Sequence, residues 1–287
     1  MGLFSKKPPC PICGGKISWL LPWKIEGKYI CTTCYNKIDM EADKAIHLTM
    51  QGFKEYLAFY DQNQLMRDQF TIFEGIDFGH WDTKIIFDYQ HKMFCMSKNL
   101  DKTIFEGKQL KSFSIKEDNT PLFEGTAEGV KSYVSTVPDR ALALAPQVIH
   151  YMMKRHLTRT LDKKEDGKEK KTTPMQYFDV PEPFQRFKME LHFDHPYWTV
   201  IKCDMDGPRF SNDSPDVKDY ICSYEHSIQE IEKLVVALQT VAFPDAPEQY
   251  ISFGVEEIRA VHRTIADTQR EKHSIAKNSF LMHIIMI

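Results

Sequence analysis

The chain has 287 residues, enough for one large domain or a few small ones. Lys and Arg number 37 against 40 Asp and Glu, so the net charge of −3 selects neither for nucleic acid nor for a membrane surface. Charged residues at 27% and apolar residues at 42% exclude a disordered chain, and no apolar run approaches the ~20 residues of a spanning helix. The first ten residues lack the apolar run of a secretory signal, which predicts a soluble, cytoplasmic protein.

The first predicted element is built on cysteine. Cys10 and Cys13 form one CxxC pair and Cys31 and Cys34 a second, with the segment 14–30 between them. In a chain this long without an export signal, that spacing predicts a four-thiolate metal site rather than a disulfide framework. A tight knuckle lets both sulfurs of a pair point at one ion, and Gly14 and Gly15 supply the turn after the first pair. Residues 16–19 and 23–30 read as extended, with Glu26-Gly27 as a tight turn delivering Cys31. A hairpin with a knuckle at each end is a zinc ribbon. Thiolate softness and the absence of Gly after Cys34 favour Zn2+ over iron, and four protein ligands leave no open position for catalysis. The segment 1–38 has too little core to fold unaided, so the ion is expected to supply folding energy.

The other cysteines stand apart. Cys95 and Cys203 lie in apolar runs and read as small buried hydrophobes. His192, Asp194 and His195 with Cys203 offer metal-ligating groups, but Asp194-His195-Pro196 reads better as a turn between strands.

Residues 39–70 read as mostly helix, with Thr49 as an N-cap and Phe53, Leu57 and Tyr60 at helical spacing. From residue 83 the period changes to two. Ile85, Phe87 and Tyr89 alternate with Lys84, Ile86 and Asp88, then 92–96 follows after a short turn. Extended runs continue at 110–115 and 121–123 around Glu117-Asp118-Asn119, and resume at Phe187, Met189, Leu191 and Phe193 and at 198–203. Between them, Pro146 opens a predicted helix to about residue 161 with Ile149, Met152, Met153, His156 and Leu157 on one face. The charged run 163–171 reads as a linker.

The clearest helix follows, with Ser214 as N-cap and Pro215 at its first position. Val217, Ile221, Tyr224, Ile228, Ile231, Val235 and Leu238 alternate spacings of four and three until Pro244. A seam of Ile221, Ile228 and Val235 would suit a homodimer through 215–242, but Tyr220 and Leu234 widen the stripe toward packing on a sheet. A charged helix at 255–277 and an apolar run at 281–287 end the chain.

These elements predict an α+β protein. A zinc ribbon (1–38) and linker helix (39–80) precede an antiparallel sheet domain (81–125 and 184–243) capped by a long helix. A helical insertion (126–183) interrupts the sheet domain, and a helical tail (244–287) closes the chain. The opening Met-Gly-Leu-Phe, the CPICGGKI knuckle, the turn before CTTC and the helix after it resemble a bacterial zinc-ribbon family catalogued as domain of unknown function 4428. The resemblance covers roughly residues 1–38 and implies metal ligands without an activity. Members often continue into a small sheet with a C-terminal helix similar to the pleckstrin-homology-like fold, and the strand groups and the helix after Pro215 resemble that arrangement.

Function follows less directly. Residues 1–38 carry six lysines against one acid, a surplus of five that falls to about three once four thiolates and a divalent ion are counted. Trp19, Trp23, Tyr29 and Tyr35 interleave with them, a pattern suited to nucleic acid, as is the basic helix with Lys154, Arg155 and Arg159. The same aromatics can form the ribbon's small core, and Leu20-Leu21-Pro22-Trp23 is a candidate docking patch for a protein. No Gly-rich phosphate loop, G-x-S-x-G or H-E-x-x-H occurs, and the histidines are dispersed, so no enzyme is expected. The leading expectation is a non-catalytic module that binds another protein, with nucleic acid as the alternative.

Overall fold

The computed structural model describes residues 8–18, 23–78, 84–97, 102–162 and 178–247, the side chains of 159–162 excepted. Trp19, residues 20–22 of the docking patch, the 163–171 linker and both C-terminal segments lie outside the described residues.

The N-terminal unit is a hairpin of β1 (Trp23–Ile25) and β2 (Lys28–Ile30), followed by α1 (Thr32–Tyr35), α2 (Ala42–Ile46) and the long α3 (Met50–Gln69). The predicted Glu26-Gly27 turn is present with both residues at positive φ, 45° and 75°, the geometry a two-residue hairpin loop requires. Thr49 caps α3 as predicted, its Oγ1 accepting from Gly52 N at 3.0 Å.

A four-stranded antiparallel sheet follows in sequence order: β3 (Glu74–Asp77), β4 (Lys84–Asp88), β5 (Met93–Met96) and β6 (Ile104–Glu106). Ile85, Phe87, Phe94 and Phe105 join the main core. Ile86, Met93, Cys95 and Ile104 form a second buried layer with Phe70, and Met66 packs against it. Alternation therefore continues through Ile86, but the sheet is covered on both faces. Residues 74–77 and 129–132, read from sequence as linker and insertion, are strands. Both are short and lie at sheet edges, where little alternation can accumulate.

After a 3-10 turn (Gly107–Gln109) the second sheet begins with β7 (Leu110–Glu117), β8 (Thr120–Thr126) and β9 (Gly129–Ser132). Two helices intervene, α4 (Val137–Ala143) and α5 (Ala145–Asp162), before β10 (Arg186–Phe193) and β11 (Val200–Asp206). Strand order is β11-β10-β7-β8-β9 and every pairing is antiparallel. Strands β7–β9 and β10–β11 are thus one sheet, joined where β10 pairs with β7, Met189 opposite Ile115 and Leu191 opposite Phe113, whereas β4 and β5, expected in the same sheet domain, belong to the separate four-stranded sheet.

Helix α6 (Val217–Ala242) closes the core between the sheets. Its whole stripe, including Ile221, Ile228 and Val235 of the candidate dimer seam, is buried within the chain. Each such side chain contributes roughly 1.5–3 kcal/mol. The helix starts after Asp216 rather than at Ser214, because the Asp216 carboxylate accepts from both Lys218 N (2.7 Å) and Asp219 N (3.2 Å). Beneath α6, Tyr224 donates to the buried Glu117, whose two oxygens each lie 2.9 Å from Ser135 Oγ. Burial holds the Glu117 carboxyl above the usual range, against the pull of those hydroxyls.

Gly107 sits where the 3-10 turn meets the end of α6, and its N–H donates to Lys92 O at 2.7 Å. A Cβ there would stand 2.0 Å from the carbonyl oxygen of Val241, a backbone atom no rotamer can move. Gly107→Ala is expected to cost about 1–3 kcal/mol, read as a lower urea midpoint with unchanged slope.

The raised Glu117 makes a second expectation. A carboxyl raised in the folded state contributes stability that is present below its unfolded pKa, about 4.5, and lost as pH rises through the folded value. The stability of the native protein relative to Glu117→Gln should therefore be greatest in acid and narrow toward neutrality. Denaturation of both across that range measures it; a difference that widens with pH contradicts the assignment.

Candidate metal centre

The four predicted cysteines converge. Cys10 and Cys13 come from the first knuckle and Cys31 and Cys34 from the second, delivered by β2 and α1. Their Sγ atoms all lie within 4.8 Å of one another. Four sulfurs at ~2.3 Å from one tetrahedral ion would be about 3.8 Å apart, so this set fits a single ion with small adjustments. Cys13 Sγ and Cys31 Sγ are 3.4 Å apart.

Each knuckle has its physical cause in the sequence. Gly14 adopts φ +70°, and the loop closes through Gly14 N to Cys10 O (2.8 Å) and Cys10 N to Gly15 O (2.9 Å). This aims Gly15 N at Cys13 Sγ, 3.4 Å away. In the second knuckle, α1 begins at Cys31, and Cys34 N points at Cys31 Sγ at 3.5 Å. Backbone N–H groups aimed at sulfur stabilise thiolate and orient it toward a cation.

The thiols are electrostatically unequal. Burial opposes ionisation of Cys10, but the N–H groups of Cys31, Cys13 and Ile12 outweigh it and bring the thiol down to about 6. Burial pushes Cys31 and Cys34 upward, Cys34 further through its hydrogen bonds with Cys13 and Cys31 and the charge of its neighbours. Four thiolates at this separation repel one another, and a divalent cation at the centre is the group that relieves them.

Cys10, Cys31 and Cys34 are buried in a small core with Ile25, Ile30, Met40, Met50, Phe53, Tyr56 and Leu57. Half of that core comes from beyond residue 38, so α3 is structurally part of the ribbon. Tyr56 explains how: its hydroxyl donates to Lys37 O (2.7 Å) and accepts from Asp39 N (2.7 Å), pinning the chain that leaves the second knuckle. The hairpin turn is held by Glu26, whose carboxylate accepts from Met50 N at 3.0 Å. Sequence reading singled out neither residue as a support of the site; the CxxC spacing signals ligands, whereas these depend on contacts between α3 and segments well before it in the chain.

Among the described residues no other group of three or more His, Cys, Asp or Glu side chains converges. His192, Asp194, His195 and Cys203 do not come together. His192 lies 3.6 Å from Glu190, and His195 turns into an aromatic cluster with Phe59, Phe105 and Tyr197. Cys95 is fully buried, and Cys203 is half-buried against the main core.

Replacing Gly14 isolates the knuckle's backbone requirement, because a Cβ there meets nothing within 4 Å and only its left-handed conformation is strained. Gly14→Ala should cost about 1–2 kcal/mol, a roughly five- to thirtyfold loss of metal affinity in chelator competition.

Comparison with known proteins bears on this segment alone. No curated protein matches the chain, and no solved structure does, so the pleckstrin-homology-like resemblance of the sheets finds no support there. Residues 8–56 match the family described as Domain of unknown function (DUF4428), a span that holds all four cysteines and runs into α3 as far as Tyr56.

Proposed function

We propose that this chain is a non-catalytic interaction module whose ribbon holds one structural Zn2+ and docks another protein, with the sheet domain completing the binding surface. Four soft thiolate donors and no open coordination position favour zinc in a structural role. Supporting the docking reading, Trp23 is 51% exposed while stacked on Tyr35, ring centroids 3.8 Å apart and planes within 6°. Aromatic anchors dominate binding energy in protein interfaces, so this exposed pair supports a docking role.

Nucleic acid is the second reading because the hairpin also carries lysine beside an aromatic ring. Lys24 lies over the Tyr29 ring at 4.7 Å, and basic groups interleaved with aromatic rings suit phosphate contacts and base stacking. Salt separates the two: phosphate contacts are lost steeply as salt rises, whereas an aromatic protein anchor persists.

The experiment uses the full, reduced protein purified from its native host. Elemental analysis should find one zinc per chain, lost in Cys34→Ser along with the order of the ribbon while the sheet domain stays folded. A stoichiometric co-purifying protein should be retained at high salt and lost from Trp23→Ala, which keeps its zinc. Retention of nucleic acid at low salt alone, with no protein, selects the second reading. Native protein free of zinc with an ordered ribbon overturns both.

A further inference from the structure

Helix α5 carries its apolar face outward. The side packed on the body presents Val148 and Tyr151, both buried, with Arg155 turned inward onto Asn212 O (2.6 Å) and Asp213. The side opposite presents Ile149, Met152, Met153 and Leu157, exposed by 45, 37, 62 and 61%. These residues recur at spacings of three and four, so the exposure forms a continuous ridge and not a scatter of single side chains. An amphipathic helix in a globular core has the reverse arrangement.

Basic groups lie beside this ridge, with Asp139 and Asp162 bounding the stretch 140–161 and Arg155 paired with Asp213. From Arg140 to Leu161 the chain has four Lys or Arg and two His and no Asp or Glu, although the protein as a whole has more acids than bases. Lys154, His150 and His156 are exposed on the helix beside the ridge. No helix among the described residues is long and apolar enough to cross a membrane, so any membrane contact they make through a helix must lie on the surface.

We propose that α5 is a peripheral membrane-docking element that lays this ridge into an anionic lipid surface, with Lys154 and its neighbours facing the headgroups. A convex ridge fixed to the body along its opposite side lies parallel to a plane, the geometry of interfacial helices. The lack of acids from Arg140 to Leu161 removes the repulsion an anionic leaflet would exert. A second copy of the chain fits less well, since antiparallel pairing about Met153 would bring the two Lys154 side chains to the same edge of the contact, within a helical turn of each other.

Flotation of the full-length protein with phosphatidylcholine vesicles, with and without phosphatidylserine, tests this. Binding is expected only with phosphatidylserine, weakening as salt rises. The double variant Met153→Glu, Leu157→Glu should lose binding by about tenfold or more, and Lys154→Glu by about fivefold, with the urea midpoint unchanged in both. Three results overturn the proposal: no binding to phosphatidylserine vesicles, binding indifferent to the double variant, or a lowered midpoint in that variant, which would mean that the chain itself covers the ridge. A dimer by light scattering that the same variant dissolves assigns the ridge to a second copy instead. Because the readout involves neither zinc nor Trp23, its failure leaves the ribbon reading untouched.

Discussion

Everything in the N-terminal unit is organised by the mutual approach of four sulfur atoms. Thiols this close are stable as thiolates only around a cation, so the hairpin, both knuckles and α1 are positioned for an ion. Yet the ion is not the ribbon's sole support. Phe53, Tyr56 and Leu57 of α3 fill the space behind Cys10, Cys31 and Cys34, and Tyr56 ties down the exit at Lys37 and Asp39. Docking of α3 therefore pre-orders the four sulfurs and lowers the entropy that binding an ion would have to overcome.

Helix α3 also joins the ribbon to the sheets. Its first half faces the ribbon core, and by Asn63 its contacts have passed to the four-stranded sheet. Asn63 Nδ2 donates to Ile104 O at 2.8 Å and its Oδ1 accepts from Ile104 N at 3.0 Å, so one amide side chain pairs with strand β6 as a neighbouring strand would. Arg67 adds a bond from Nε to Lys102 O at 3.1 Å. The edge is thereby closed to further strands, which would otherwise use it as a template for association. Nearby, Asp39 Oδ2 accepts from both Thr103 N (2.6 Å) and Thr103 Oγ1 (2.7 Å), fixing the ribbon's exit on the same strand.

What the sequence made legible follows from how local each cause is. The CxxC spacing, the Glu26-Gly27 turn, the Thr49 cap and the α6 stripe each depend on residues within about a turn or two of one another. The edge strands β3 and β9 depend instead on pairing partners elsewhere, and with Gly75 and Gly129 in such short segments they carry no alternation of their own. Ile86 is a different case: its position in the alternation is correct, but α3 turns a solvent-facing site into a buried one. The face of α5 was visible as apolar, whereas which side of the helix meets the body was not. That side is fixed by Val148 and Tyr151 and by Arg155 reaching Asn212 and Asp213, which lie far along the chain in the approach to α6.

The β10–β11 turn meets the ribbon through backbone hydrogen bonds, one carboxylate and aromatic rings. Glu41 N donates to Tyr197 O (3.1 Å), Thr199 N donates to the Glu41 carboxylate (3.2 Å), and Tyr56 and Phe59 pack on Tyr197 with ring centroids 4.9 and 5.0 Å apart. At the centre is His195, whose Nδ1 accepts from Tyr197 N at 3.1 Å, which places the ring proton on the buried Nε2 among the faces of Phe59 and Phe105. Burial, with Lys44 nearby, lowers its pKa to about 4, so the imidazole is neutral at physiological pH and serves as an aromatic filler. The β10–β11 turn thus grips the ribbon through hydrogen bonds to backbone and through edge-to-face and tilted rings. The ribbon is then held in a fixed position on the sheets.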